Sequence, residues 1–294
     1  MAHAFCRTES IAAGEPLAGT GAIYERILLL SWPRRHWRMP RSASVGVSPV
    51  LGAAIERAIS ARVHLVLVDH PDAGATLPAL FSPRDGIAAE FDDQAGLARA
   101  IDHYAQGGSI DGRREDRTII LCCTDSRRDA CCARFGQETF RQLLVQCDPA
   151  RHLLLQASHL GGCRFAASLM VFPHLHRYGR LGPEAVTDFL STLGRGEPYL
   201  PAFRGHADQS PSRQVAEIAA RRWAGEAGED TTQLSLEAVS ETAGSAIYDV
   251  ACGKARLTIA VTADMQPVFG TCSALKADKP LMTERWQVTS LSVS

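Results

Sequence analysis

The most regular hydrophobic pattern lies in the middle of the chain. Arg117–Cys123 and His152–Ser158 are nearly continuous apolar runs, which are typical of strands buried on both faces of a parallel sheet. Between them, Ala133–Gln146 places large apolar residues at helical spacing, with Phe140 and Leu143 on one face. These residues therefore predict a β-α-β unit.

A hairpin and a helix are predicted directly after this unit. Leu169–Phe172 and Arg177–Leu181 flank a Pro-His pair, which favours two strands joined by a turn. Pro183 then fits the first turn of a helix, and the acidic residue after it complements the positive end of that helix. The resulting order β-α-β-β-β-α predicts an α/β domain over residues 113–205.

The N-terminal part has a weaker pattern of the same kind. Ile27–Ser31 and Arg62–Asp69 predict buried strands, and the apolar spacing after Ser48 predicts a helix between them. The stretches expected to be irregular are residues 1–24 and the connection 70–93. We interpret residues 1–112 as an α/β segment, and one hypothesis is that it forms a second, degenerate α/β half packed on the domain of residues 113–205.

The C-terminal part predicts a small helix-plus-β element over residues 206–294. Ser212–Trp223 is amphipathic with helical spacing. Short strand patterns follow at Gln233–Val239, Ala246–Cys252, Ala255–Thr262 and Trp286–Leu291.

Composition narrows the class of protein. The 294 residues are 46% hydrophobic and 21% charged, so a sizeable core is expected, and a net charge of −1 gives no electrostatic footprint for nucleic acid. No apolar run approaches the ~20 residues of a membrane span, and no secretory signal is visible. Nine cysteines, an odd number, argue against a secreted disulfide scaffold. We therefore expect a cytoplasmic protein with reduced thiols, without nucleic-acid or membrane partners.

Four of the nine cysteines fall within residues 122–132, and a His-Leu-Gly-Gly-Cys step follows at residues 159–163. Cys123 ends one predicted strand, and His159 follows the end of the next. Ligands gather at the carboxyl ends of strands in open α/β sheets, so Cys123, Cys132, His159 and Cys163 are expected to meet there. Such a set suits a [2Fe–2S] cluster or a structural zinc ion.

Spacing alone leaves one alternative open, because Cys122 and Cys131 are also nine residues apart. We favour these two as core residues, since cysteine is among the most frequently buried residue types. Arg127 and Arg128 lie in the loop between the cysteines, where they could stabilise a negatively charged cluster or contact a partner. A solvated loop is the other interpretation of these two arginines.

The segment Cys123-Thr-Asp-Ser-Arg-Arg-Asp-Ala-Cys-Cys132, with Ser158-His-Leu-Gly-Gly-Cys163 and the later Tyr178-Gly-Arg-Leu181, resembles the sucrase/ferredoxin-like family. Members of this family are similar to thioredoxin-like [2Fe–2S] ferredoxins. The resemblance implies a thioredoxin-like fold over residues 113–205, with the cluster at one edge of the sheet.

The resemblance also implies a set of ligands. The two motif cysteines fall on Cys123 and Cys132, and the His-x-Gly-Gly-His pattern falls on His159 and Cys163. Cys163 departs from that pattern, which suggests three cysteines and one histidine in place of two of each. Asp125 is a second departure, at a position where many relatives have histidine.

Together these observations favour an electron-transfer protein that carries a [2Fe–2S] cluster with mixed Cys/His ligation. A redox partner is expected, of the flavin- or NAD(P)H-dependent reductase class. An electron carrier is favoured over a stand-alone enzyme, because no substrate pocket or paired carboxylates are recognisable. The alternatives are a structural zinc-binding protein and a thiol-redox protein without an iron–sulfur cluster.

Overall fold

Runs of apolar residues form the central strands, and the helices between them bury their apolar faces against the sheet. The computed structural model describes residues 4–72, 77–231 and 234–293. The helices in these ranges are α1 (Cys6–Ala12), α2 (Pro49–Ser60), α3 (Gln94–Ala105), α4 (Gln137–Gln146), α5 (Val186–Gly194), α6 (Pro211–Ala227) and α7 (Cys272–Lys276). The strands are β1 (Ile27–Ser31), β2 (His64–Asp69), β3 (Leu80–Ser82), β4 (Ile87–Ala89), β5 (Arg113–Arg114), β6 (Thr118–Cys123), β7 (His152–Ala157), β8 (Leu169–Phe172), β9 (His176–Tyr178), β10 (Phe203–His206), β11 (Ser235–Glu241), β12 (Ser245–Cys252), β13 (Ala255–Val268) and β14 (Leu281–Val293).

Strands β1 to β10 form one mixed sheet in the order β10-β9-β8-β6-β7-β2-β1-β3-β4-β5. In residues 118–194, β6 pairs in parallel with β7 and antiparallel with β8, and β8 pairs antiparallel with β9. A β-α-β unit followed by a hairpin and a helix, in this strand order, is the thioredoxin-like arrangement. The predicted order β-α-β-β-β-α is therefore confirmed.

The N-terminal half repeats this topology. Within residues 27–105, β1 pairs in parallel with β2 and antiparallel with β3, and β3 pairs antiparallel with β4. Helix α2 connects the parallel strands and α3 follows the hairpin, so the path of the chain is again β-α-β-β-β-α. The expected second α/β half is confirmed, and it has the same strand order as the first.

The two halves meet at β2 and β7, which pair antiparallel with Val68 opposite Ala157. Ser158 closes this junction. Its amide donates to the carbonyl of Leu67 at 2.8 Å, and its hydroxyl accepts from the amide of Leu67 at 2.9 Å. The sheet is thus continuous across both halves, and the division of the chain at residue 112 stays a prediction.

The C-terminal element is a four-stranded antiparallel sheet, β11-β12-β13-β14, covered by α6. Helix α6 begins at a Ser210 cap, whose hydroxyl accepts from the amide of Arg213 at 3.3 Å. Its apolar face, including Val215 and Ala216, packs on Ile259 and the neighbouring inward-facing residues of the sheet. The predicted helix-plus-β element is confirmed.

Several sequence-based boundaries differ from the structure. Residues 6–12 form helix α1 although residues 1–24 were expected to be irregular, and β3 and β4 lie within the expected connection 70–93. Helix α7 was not predicted. Gln233, the expected start of a strand, lies outside the described residues, as do residues 1–3 and 73–76. None of the helices in the described ranges has the length and apolar character needed to cross a membrane.

Candidate metal centre

The candidate site lies where β6 and β7 end side by side. Because these neighbouring strands are parallel, their carboxyl ends reach the same edge of the sheet. Cys123 is the last residue of β6, and Cys132 begins a π-helical turn that leads into α4. His159 comes two residues after the end of β7, and Cys163 begins a short 3₁₀ helix.

Side-chain contacts connect the four predicted ligands into one group. The thiol of Cys132 interacts with the thiols of Cys123 and Cys163, and these contacts together with burial raise the pKa of Cys132 well above its usual value. The Sγ atom of Cys163 lies 3.5 Å from Nδ1 of His159. The structure therefore brings these four residues together, and their assignment as ligands stays a prediction.

The group is buried except at its histidine. Cys123 and Cys132 are each 1% exposed and Cys163 is 2% exposed, whereas His159 is half-buried. The contact with Cys132, opposed by burial and supported by His159, lowers the pKa of Cys163 to about 6. A lowered pKa favours the thiolate, which is the form of cysteine that binds metals.

Two glycine features give the loops their shape. Gly161 and Gly162 have φ angles of +87° and +75°, a left-handed conformation that glycine adopts readily. This turn returns the chain so that Cys163 faces His159. Gly136 lets the start of α4 approach β6 closely, because a Cβ atom at this position would lie 2.1 Å from the carbonyl oxygen of Cys123.

Arg127 and Arg128 are exposed, and Arg127 is directed toward a neighbouring loop. Its guanidinium donates to the carbonyls of Arg34 and Arg35 at 3.3 and 3.1 Å. Asp129, the next residue in this loop, is buried and accepts from the backbone amide of Cys131 at 2.8 Å. The influence of Arg127 and Arg128 on a cluster stays a prediction.

Two other arginines donate hydrogen bonds to the backbone of the ligand loops, and no sequence pattern predicted these contacts. Arg34 donates to the carbonyl of Thr124 at 2.9 Å, and Arg41 donates to the carbonyl of His159 at 3.2 Å. Both arginines belong to the loop after β1, and they are 90 and 118 residues away in sequence from the residues they contact. No spacing rule connects residues so far apart, and only the pairing of the two halves brings them together.

Arg177 is a fully buried cation behind the ligand loops. Its guanidinium donates to the carbonyl of Leu160 and lies 3.4 Å from Sδ of Met170, but its Nε has no hydrogen-bond partner among the described residues. Burial lowers the pKa of Arg177, and negative charge on Cys123 is among the influences that oppose this. A cluster with three thiolate ligands carries net negative charge, so a [2Fe–2S] group fits beside this cation.

The alternative pair, Cys122 and Cys131, does not come together. Cys122 belongs to the hydrophobic cluster on the other face of the sheet and donates to the carbonyl of Gly136 at 3.5 Å. Cys131 belongs to the same cluster as Cys123. The side chains of consecutive residues in a strand point to opposite faces, which explains why Cys122 and Cys123 separate.

A second group of possible ligands lies next to the first. In residues 4–72, 77–231 and 234–293, one set of three or more candidate ligand atoms lies within 4.8 Å of one another, and it comprises Cys6, Asp129, Cys131 and Cys272. Cys6 and Cys272 lie outside the two sequence motifs that contain the predicted ligands. These residues come from the two ends of the chain, so no local motif could have indicated their contact.

The strand order of the large sheet defines a thioredoxin-like α/β protein. The residues at the carboxyl ends of β6 and β7 give it a cysteine-rich candidate metal centre. The model of the sucrase/ferredoxin-like family matches residues 17–205, which include both halves of the large sheet. The chain belongs to the sucrase/ferredoxin-like family. Cys6 and the whole C-terminal element lie outside the matched range.

Comparison with solved structures finds thioredoxin-like [2Fe–2S] ferredoxins from Aquifex aeolicus. One shares 21% identity over 30% of this chain and 91% of its own, with a TM-score of 0.28. A second structure, of the wild-type ferredoxin, shares 20% identity over 30% of this chain and 97% of its own, with a TM-score of 0.27. No curated protein matches this chain.

Proposed function

We propose that this protein transfers electrons through a [2Fe–2S] cluster bound by Cys123, Cys132, His159 and Cys163. The observation that carries the proposal is the convergence of three thiols and one imidazole at the ends of two parallel strands, with Cys163 Sγ 3.5 Å from His159 Nδ1. Membership of the sucrase/ferredoxin-like family supports it. Cysteine and histidine are established ligands of such clusters.

The bound cluster would supply one-electron redox chemistry. The residues around it would set its reduction potential and its exposure to a redox partner. Arg177 orients the ligand loop through the carbonyl of Leu160 and places a buried positive charge behind it. Positive charge favours the more negative, reduced state and so raises the reduction potential. His159, the most exposed of the four ligands, would be the route by which electrons enter and leave.

We propose that a flavin- or NAD(P)H-dependent reductase supplies the electrons. The loop after β1 and the loop between Cys123 and Cys132, which we call the cysteine loop, together form an exposed surface next to Cys123. We call it the arginine surface. Its exposed cations are Arg35, Arg38, Arg127 and Arg128. An acidic face on the reductase would complement this surface and guide docking. We further propose that the protein works in the cytoplasm, where reducing conditions keep thiols available for metal binding.

Iron and sulfide counts with visible spectroscopy of protein purified without oxygen test the cluster. We expect about two irons and two sulfides per chain and a visible absorption that dithionite bleaches. Cys123→Ser should lose most of this absorption, because it removes a proposed ligand. Cys122→Ser is the matched control, since its thiol packs on the opposite face, and it should keep the absorption. A colourless wild-type protein with zinc at the Cys123 group would contradict the proposal and favour a structural zinc site.

The reductase can be tested through the dependence of electron transfer on salt. Surface charges separated by more than a Debye length are screened, and this length is about 10 Å at 0.1 M ionic strength and about 3 Å at 1 M. The rate of reduction by an NADPH-dependent flavin reductase should therefore fall several-fold over this range. It should also fall when Arg127 and Arg128 are both changed to Gln. A rate insensitive to salt and to this double change would contradict docking at the arginine surface.

A further inference from the structure

Three sulfur atoms from distant parts of the chain form a near-equilateral triangle beside the candidate cluster site. The Sγ of Cys131 lies 3.5 Å from that of Cys6 and 3.4 Å from that of Cys272, and Cys272 lies 3.7 Å from Cys6. Oδ1 of Asp129 lies 3.9 Å from Sγ of Cys6. All four ligand atoms are within 4.8 Å of one another.

This group is buried, and its surroundings suit negative charge. Cys6 and Cys131 are 0% exposed, and Cys272 and Asp129 are each 5% exposed. The carboxylate of Asp129 accepts from the amides of Cys131 and Cys272, each at 2.8 Å, and Sγ of Cys131 accepts from the amide of Arg7 at 3.5 Å. A buried carboxylate among thiols is costly unless it is paired or bound to a metal.

The spacing of the group matches a tetrahedral metal ion. With zinc–sulfur bonds of about 2.3 Å and tetrahedral angles, neighbouring sulfurs lie about 3.8 Å apart. The three measured separations, 3.4 to 3.7 Å, are close to this value. The three sulfur–sulfur distances are nearly equal, whereas a disulfide would bring one pair of sulfurs to about 2.05 Å.

We propose that Cys6, Cys131, Cys272 and Asp129 bind one zinc ion, as a second metal site separate from the Cys123 group. Three thiolates and one carboxylate complete a closed tetrahedral shell, which is the arrangement of structural zinc sites. The site would clamp helix α1, the cysteine loop and helix α7 to one point. These segments are far apart in sequence, by 125 residues between Cys6 and Cys131 and by 141 between Cys131 and Cys272.

The clamp would also act on the neighbouring cluster site. Cys131 directly precedes Cys132, so an ion bound at Cys131 fixes the backbone from which a proposed cluster ligand projects. Cys6 and Cys272 lie outside the range that the family model matches. Two of the four proposed zinc ligands therefore come from the N-terminal helix and the C-terminal element, outside the matched range, and the other two, Asp129 and Cys131, lie inside it. The zinc proposal does not depend on which metal the Cys123 group holds.

Metal analysis of the purified full-length protein, expressed with added zinc, tests the proposal. We expect about one zinc per chain. Cys272→Ser and Cys6→Ser should each lose most of the zinc, while a far-UV circular dichroism spectrum like that of the wild type shows that the fold persists. Cys252→Ser is the control, because Cys252 is equally buried in β12 but lies outside the group, and it should keep the zinc.

The proposal is overturned if wild-type protein contains no zinc, or if zinc is unchanged in both Cys272→Ser and Cys6→Ser. Loss of zinc in Cys123→Ser alone would place the ion in the other site and would also overturn it. A count of seven free thiols in place of nine in the denatured, metal-free protein, with two of Cys6, Cys131 and Cys272 protected from alkylation, would show a disulfide within the group and would also overturn the proposal. If iron is absent but zinc is lost only in the Cys6 and Cys272 variants, the zinc site stands and the electron-transfer proposal fails.

Discussion

At position 163 a single side chain decides the charge of the proposed ligand set. The family pattern has histidine here, and this chain has a cysteine whose Sγ contacts both Cys132 and His159. A thiolate brings a negative charge that a neutral imidazole does not. A cluster held by the proposed ligands would therefore have a lower reduction potential than one held by two cysteines and two histidines, and the positive charge of Arg177 would partly offset this difference.

Changing Cys163→His restores the family pattern and tests this argument. We expect the cluster to be retained and its midpoint potential to rise by on the order of 100 mV, because clusters with histidine ligands have higher potentials than those with cysteine alone. A redox titration followed by visible absorption measures the change, with Cys147→Ser as a control that leaves the proposed ligands intact. An unchanged potential in a variant that still binds iron would show that residue 163 is not a ligand.

At the scale of elements, the sequence predicts the helices and strands that have a clear local pattern of apolar residues. Strands β6 and β7 were predicted because they are buried on both faces and therefore apolar without interruption, and α4 because it has one apolar face. Helix α1 was missed because it is short and buries only Cys6 and Ser10. The predicted ligands lie at strand ends, where topology alone brings them together. The contact of Cys6 with Cys272 depends on the packing of both chain ends, which no local pattern encodes.

An ion pair joins β10 to α6 and makes this contact depend on pH. His206 Nε2 lies 3.2 Å from Oε1 of Glu217, and Arg221 donates to the same oxygen at 2.8 Å. Burial alone would raise the pKa of Glu217, but His206 and Arg221 outweigh it and lower the pKa to about 2. A carboxyl whose pKa is lower in the folded state stabilises it above the unfolded pKa of about 4.3, and this stability is lost as the pH falls toward 2.

We therefore expect the free energy of unfolding to fall by about 3 kcal/mol as the pH falls from 6 toward 2 through this one carboxyl. Chemical denaturation at several pH values, followed by circular dichroism, measures it. Glu217→Gln should be less stable than the wild type at pH 6, and its stability should change less between pH 6 and pH 3. Equal pH profiles for the variant and the wild type would show that the pair does not contribute.

At the scale of the whole molecule, the two halves share a sheet and a core. One hydrophobic cluster contains Leu29 and Val66 from the N-terminal half together with Leu121 and Leu155 from the other. The arginines that support the ligand loops also come from the N-terminal half, as Arg41 does through the carbonyl of His159. The N-terminal half therefore supports the candidate site although none of the four proposed ligands lies in it.

A fragment of residues 113–294, which lacks only the N-terminal half, tests how far the two halves depend on each other. Removing residues 1–112 leaves the edge of β7 unpaired, exposes the shared core and removes the contact that Arg41 makes with His159. We expect the purified fragment to lack a cooperative unfolding transition and to lose most of the visible absorption of the full chain, because an exposed apolar face and an open strand edge favour aggregation. Circular dichroism during thermal unfolding and an iron count on both proteins measure the difference. A fragment that unfolds cooperatively and binds iron like the full chain would instead show that residues 113–294 fold and bind iron without the N-terminal half. It would assign that half a role other than support of the site.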